Sequence, residues 1–189
     1  MEERARRIVE TAIDLAEKGG FEAVRLRDVA ASSGVALGTL YRHFSSKEDL
    51  LIAAMAQQVD RLAGRMKARP ATGDTSVDRV TNFFAVATAG FCGRPMLARA
   101  ILRSMASAQP DLMEKVASFH GSVTQLISAA ERGDDGVASG APASDAAAVL
   151  EHVWFAYLVG WAAGVHKEAD VVTYVSRATE LILQGAAAA

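Results

Sequence analysis

The stretch VRLRDVAASSGVALGTLYRHFSSKEDL, running from Val24 to Leu50, decides the reading of this chain. In Leu26 to Ser33, Val29 and Ala30 are spaced to face inward; in Leu37 to Phe44, Leu40 and Phe44 share one side. Gly34 stands between the two segments and suits the positive φ of a tight turn. Ser46, ahead of Lys47-Glu48-Asp49, is an N-cap signal with Asp49 as a short version of the capping-box acid. It opens a longer helix to about Lys67. Two very short helices across a glycine turn, followed by a capped third, predict a helix-turn-helix that offers its second short helix to a DNA groove.

That second helix has what a groove reader needs: an apolar underside, small residues near the backbone and polar tips. Leu40 and Phe44 are the underside, and Gly38 allows close approach to sugar-phosphate. Thr39 offers a hydroxyl or methyl to a base edge. Tyr41 and His43 can donate to phosphate oxygens, and Arg42 can fork onto guanine or clamp a phosphate. Lys47 can add a phosphate contact at the start of the following helix. Other readings stay open: Tyr41 can pack on the domain surface, and His43 can bond within the domain. Arg4, Arg6 and Arg7 read first as a solvated helix face, with a phosphate contact from Arg6 or Arg7 as the alternative.

Residues 34–50 resemble the TetR family of bacterial transcriptional regulators, in which a G-T-L-Y-x-H-F core precedes S-K-x-x-L. The resemblance covers roughly residues 4–55. It implies DNA contacts at Leu26, Arg27, Ala36, Leu37, Gly38, Thr39, Tyr41, His43 and Lys47, beside the Arg42 contact read from chemistry. Arg25 departs from the pattern, where threonine or serine often sits, and so either weakens the cap of the helix it precedes or makes a phosphate contact of its own. Ala36 departs from a common serine and removes a hydroxyl contact. The motif is also similar to that of actinobacterial repressors of lipid and steroid catabolism. The family implies a homodimer on palindromic double-stranded operator DNA, acting as a repressor and released by a small apolar effector that shifts the fourth helix.

The whole chain reads as all-α, with about nine helices: a helix-turn-helix DNA-binding domain over 1–50 and a helical effector-binding and dimerisation domain over 51–189. It has 189 residues, 51% hydrophobic, with four prolines and no Val/Ile/Thr alternation of the kind strands need. The first helix is expected to about Lys18, with Ile8, Ala12, Leu15 and Ala16 inward and Gly19-Gly20 as its stop. Five further helices are expected at about 76–91, 95–107, 111–132, 144–167 and 170–184. The loop over 133–143 is expected to be mobile, and residues 186–189 to fray.

In the eighth helix, Trp154, Leu158, Trp161 and Val165 form one apolar stripe, and Phe155, Val159, Ala162 and His166 form another. A helix apolar most of the way round is buried on more than one side. Small residues let two helix backbones approach, as in a dimer four-helix bundle. The expected two-fold interface therefore uses Ala156, Gly160 and Ala163 with Val172, Val175, Ala178 and Ile182; plain intra-subunit core is the alternative. Phe84, Phe91, Met105, Phe119, His120, Trp154, Phe155, Leu158 and Trp161 are the expected lining of an adaptable apolar effector site. Plain core is again the alternative.

Net charge is −2 overall, and residues 1–50 carry eight basic and nine acidic side chains, so any basic footprint depends on sorting charges onto faces. The single cysteine, Cys92, permits no internal disulfide and suits a reducing, cytoplasmic setting. Val153–Val165 is shorter than the roughly 20 apolar residues a membrane span requires, and the charged N-terminus is not followed by an apolar signal core. No phosphate loop, nucleotide fingerprint or nucleophile elbow occurs, so neither a cofactor nor an enzyme is expected. His152 and His166 would stand about 21 Å apart on one continuous helix, too far for one metal. The rival readings are a helical protein–protein interaction module and, further off, an enzyme using the apolar pocket.

Overall fold

The structure, a computed structural model, describes residues 3–134 and 142–187, with side chains to residue 185. Nine α-helices and no strand occur among the described residues: α1 Glu3–Ala23, α2 Leu26–Ser32, α3 Leu37–His43, α4 Lys47–Ala68, α5 Ser76–Cys92, α6 Pro95–Ala106, α7 Met113–Arg132, α8 Asp145–Ala162 and α9 Glu168–Ala187. The chain divides into two compact units. One is Met1–Gln58 with Arg94–Ala117; the other is Val59–Gly93 with Ser118–Ala189. Both α4 and α7 pass from one unit into the other. Most of the loop expected over 133–143 falls on residues 135–141, and the end of the expected frayed tail on residues 188–189; these lie outside the described residues.

In the first unit α1 buries Ala5, Ile8, Val9, Ala12, Ile13 and Ala16. Of the expected stripe, Ile8, Ala12 and Ala16 are buried and Leu15 is half-buried, with Ala5, Val9 and Ile13 added to the inward face. The helix is broken where the glycine pair predicts. Gly19 leaves helical geometry and Gly20 takes φ 65°, so Phe21–Ala23 form a separate turn. α6 lies against α1 and buries Leu97, Ala98, Ala100, Ile101, Leu102, Ser104 and Met105. A Cβ on Gly20 would stand 3.1 Å from the Met96 methyl, so the positive-φ glycine also lets the two helices approach. Across the same contact Arg94 pairs with Glu17, while Arg103 pairs with Glu22 (2.9 Å) and lies over the Phe21 ring; Arg94 also donates to Gln58 of α4 (3.2 Å).

In the second unit α5 starts with a complete capping box. Thr75 Oγ1 accepts from Asp78 N (3.1 Å), and Asp78 Oδ2 accepts from Thr75 N (3.0 Å) and Thr75 Oγ1 (2.7 Å). These bonds hold the Asp78 carboxyl below its ordinary value. α8 is capped by Ser144, whose Oγ accepts from Ala147 N (3.0 Å). α9 packs on α5 and α8 and buries Val171, Val175 and Thr179.

α8 ends at Ala162, five residues before the expected Lys167. The cause is a glycine stop: Gly164 takes φ 80°, Val165 N donates to Gly160 O (2.9 Å) and Gly164 N to Trp161 O (3.0 Å), the paired bonds of a Schellman closure. Val165 therefore leaves the apolar stripe and is 72% exposed. His166 folds back over Gly160, where a Cβ would lie 2.3 Å from the imidazole.

Candidate functional site

The head is built from the bottom by burial. Val29 and Ala30 of α2, Leu40 of α3 and Phe44 behind it are buried, which holds the two short helices on α1. Gly34 takes φ 68° and makes the turn between them, helped by Val35 N donating to Ala30 O (3.0 Å). With Leu40 and Phe44 inward, the opposite side of α3 faces water. Tyr41 is 52% exposed and Arg42 is exposed, with Thr39 and His43 half-buried beside them. Arg42 Nη2 donates to Thr39 Oγ1 (3.2 Å), so the two expected base readers share one face one turn apart. Ala36 and Gly38 are exposed at the start of α3 and Leu37 is half-buried.

Both short helices begin without a side-chain cap. Arg25 and Ala36 stand at the capping positions in extended geometry, and neither side chain bonds the following turn. At Arg25 this is the weaker cap expected from its departure at that position. On α2, Arg27 is exposed and Leu26 half-buried.

Lys47 points elsewhere than the outward contact expected of it. Its ammonium lies 3.9 Å from the Phe21 ring centroid, donates to Phe21 O (3.2 Å) and is 3.9 Å from Glu22 Oε2. It ties the start of α4 to the turn after α1. Arg6 is held on its own helix by Glu3 (2.7 Å) and Glu10 (3.5 Å), the arrangement of a solvated face. The hydrogen bond and charge of Arg6 keep the Glu3 carboxyl below its ordinary value.

The corner between α3 and α4 carries a contact that sequence reasoning missed. Ser46 caps α4 as expected, its Oγ accepting from Asp49 N (3.1 Å). The Asp49 side chain reaches one residue further back than a capping box does, to Ser45 N (2.9 Å) and Ser45 Oγ (3.2 Å). Its other oxygen accepts from Lys115 Nζ at 2.5 Å, from a residue 66 positions later.

Of the nine residues expected to line an effector site, eight belong to the second unit; Met105 lies in the first, buried in α6. Five of the eight fall into two groups. Phe84 touches Trp154 (5.8 Å between centroids), and Trp154 Nε1 donates to buried Thr88 Oγ1 (2.9 Å). Phe119, His120 and Phe155 form the second, with His120 5.0 Å from Phe155 and 4.9 Å from Phe119. Leu158 and Trp161 are buried along α8, and Phe91 is half-buried at the end of α5.

The residues expected at a dimer face divide by exposure. Ala156 and Ala163 are exposed, while Gly160, Val172, Ala178 and Ile182 are half-buried. Val175 is fully buried within the chain. Ala156 adjoins Ala148, Val149, His152 and Val153 in an open groove along α8. Val149, Val159, Tyr174 and Leu181 add exposed apolar surface on α8 and α9. No helix among the described residues is long and apolar enough to cross a membrane.

Residues 8–54 match the family described as bacterial regulatory proteins, tetR family, and residues 73–182 match the tetracyclin repressor-like C-terminal domain. The chain is 32% identical over 184 residues to the HTH-type transcriptional repressor KstR of Rhodococcus jostii (strain RHA1), covering 96% of this chain and 83% of that protein. The crystal structure of a TetR transcriptional regulator from Rhodococcus sp. RHA1 is similar with a TM-score of 0.82 and 30% identity, and 97% of each chain is covered. Thermus thermophilus FadR, a TetR family transcriptional repressor crystallised in complex with lauroyl-CoA, shares the fold. Its TM-score is 0.73 at 19% identity, over 96% of this chain and 94% of that one.

Proposed function

The chain belongs to the tetR family of bacterial regulatory proteins, and from that premise we propose how it acts: as a ligand-responsive transcriptional repressor that grips operator DNA as a homodimer in the cytoplasm. The reading head is residues 1–50, and residues 51–189 hold the effector and pair the subunits. The observation that carries this is the outer face of α3, where Tyr41 and Arg42 are exposed, with Thr39 half-buried beside them, on a helix whose Leu40 underside is buried. Arg42 and Thr39 read bases. Tyr41 and His43 meet phosphates, with Leu26, Arg27, Ala36, Leu37 and Gly38 around them. Lys47 serves from behind by holding α4 to Phe21, and reaches phosphate only by leaving that contact.

Pairing uses the exposed apolar face of α8 and α9, Ala156 and Ala163 with Val172, Ala178 and Ile182 beside them, and Val175 supports it from beneath. Two-fold pairing sets two copies of α3 about one DNA turn apart, which calls for a palindromic site. The effector has an apolar body and is taken up among the Phe84–Trp154 and Phe119–His120–Phe155 groups. The acyl-CoA complex of the FadR relative supports an apolar chain as the chemistry to be accommodated. The effector acts only through its preference for one of two conformations, relayed along α4, which is common to both units.

Selection of duplexes from a random pool by gel shift tests the proposal. A palindrome should emerge, its affinity falling steeply with salt as counterions are released. Tyr41→Ala and Arg42→Ala should each weaken binding at least tenfold and leave the dimer intact. A protein indifferent to every duplex, or variants that bind as the parent does, would refute it.

A further inference from the structure

We propose that His120, Glu151 and His152 form a binding site for a divalent transition-metal ion of the zinc class. One ring nitrogen from each histidine and a carboxylate oxygen of Glu151 all lie within 4.8 Å of one another. All three residues belong to the second unit, His120 on α7 and the other two on α8.

Glu151 is a carboxylate with 0% exposure on the inward side of α8, beside Leu150, Trp154 and Leu158. A buried carboxylate is costly unless both oxygens are compensated. Oε1 has the His120 Nδ1 at 2.8 Å. Oε2 is buried and has no hydrogen-bond donor. His152 Nδ1 lies 3.2 Å from it, yet a neutral imidazole carries one proton, and the Ala148 carbonyl at 2.7 Å takes that proton. The carboxylate is therefore half-satisfied by hydrogen bonds, with two imidazoles against it.

A metal ion resolves that imbalance. Two imidazole nitrogens and one carboxylate are an established zinc donor set, and nitrogen donors favour zinc-like ions over magnesium or calcium. The Nδ1–H bond to Ala148 O leaves the His152 Nε2 with a free lone pair, and inward rotation of the ring gives up that bond for one to the ion. The His120 ring is clamped edge-on by Phe119 and Phe155 and lies parallel to His152, 5.5 Å away at 9°. Bonds of about 2.0–2.2 Å bring ligand atoms to roughly 3.3 Å from one another. His152 is the movable member: its side chain is 71% exposed, so rotating it inward closes the gap, and the open groove along α8 supplies the entry path. Three protein ligands leave a further position to water.

The test uses the full chain stripped with a chelator. Titration with Zn2+ by calorimetry and with Co2+ by visible absorption should give one ion per chain. Saturating Zn2+ should raise the unfolding midpoint by roughly 5–10 °C. His152→Ala, at the exposed position where misfolding is not expected, should weaken Zn2+ binding at least tenfold, as should Glu151→Gln. His166→Asn, outside the cluster, should bind as the parent does. Parent-like Zn2+ affinity in His152→Ala, or no binding by the parent below millimolar Zn2+, would overturn the site. No arm involves DNA, so the result stands apart from the operator-binding proposal.

Discussion

Replacing Asp49 with alanine strikes the corner that orients α3 against α4. The carboxylate is 3% exposed and accepts three hydrogen bonds, two from Ser45 and one from Lys115. The Ser46 cap survives the change, because it uses the backbone N–H of residue 49. Each hydrogen bond to a charged group contributes about 1.5–3 kcal/mol, but the three are not additive. Ser45 is exposed, so its two donors find water once the acid is gone. Lys115 is half exposed, which limits its ion pair to under ~1 kcal/mol. Relief of the carboxylate's desolvation offsets part of the rest. The net loss is about 2–3 kcal/mol, a fall in midpoint of roughly 4–10 °C for a chain of this size. Urea unfolding followed by circular dichroism measures it. Lys115→Met should cost under ~1 kcal/mol, and Asp49→Asn, which keeps shape and loses charge, should fall between the two. If Asp49→Ala stays within about 0.5 kcal/mol of the parent, or Lys115→Met costs as much, then the Ser45 bonds do not hold this corner.

Two further outcomes follow from the second unit. Thr88→Val keeps the shape of a fully buried residue and strands the Trp154 indole N–H, so urea titration should show a loss of about 1–3 kcal/mol, while Trp154→Phe in the same background should cost less than it does alone. Burial, with the charge of Glu168 adding to it, pushes the Cys92 thiol up to about 12. An unfolded thiol ionises near pH 8.5, so the native state holds a proton that the unfolded chain gives up. Stability should therefore fall as pH rises above about 8.5, and thiol reagents should label the native protein at pH 8 far more slowly than the urea-unfolded one.

What the sequence made legible was local. Gly19-Gly20, Gly34, Ser46 and Pro95 each act within a residue or two of themselves, through φ or through a cap, and the structure uses all four. The end of α8 was harder, because apolar spacing continues through Val165 while Gly164 has already turned the chain; periodicity cannot see a backbone reversal inside an apolar run. Long-range partners were not legible at all. Nothing in α6 says that it packs on α1, so spacing alone does not separate Met105 from the apolar side chains of the other unit. Lys47 reads as an outward phosphate contact until Phe21, 26 residues earlier, is found beneath it.

The histidines carry the same lesson one step further. On a single continuous helix His152 and His166 are too distant to share an ion, and α8 stops at Ala162, short of His166. The neighbour of His152 is His120 on α7, 5.5 Å between ring centroids. The signal that finds it is Glu151. Counting back from Trp154 and Leu158, the acid falls on the inward register of α8, where a carboxylate needs a donor or a cation. A search for basic or imidazole side chains on the inward register of the neighbouring helices leads to His120, 31 positions upstream, and the exposed histidine next in sequence completes the set. Helical spacing finds the ligands that one helix supplies; a misplaced charge points to those that two helices share.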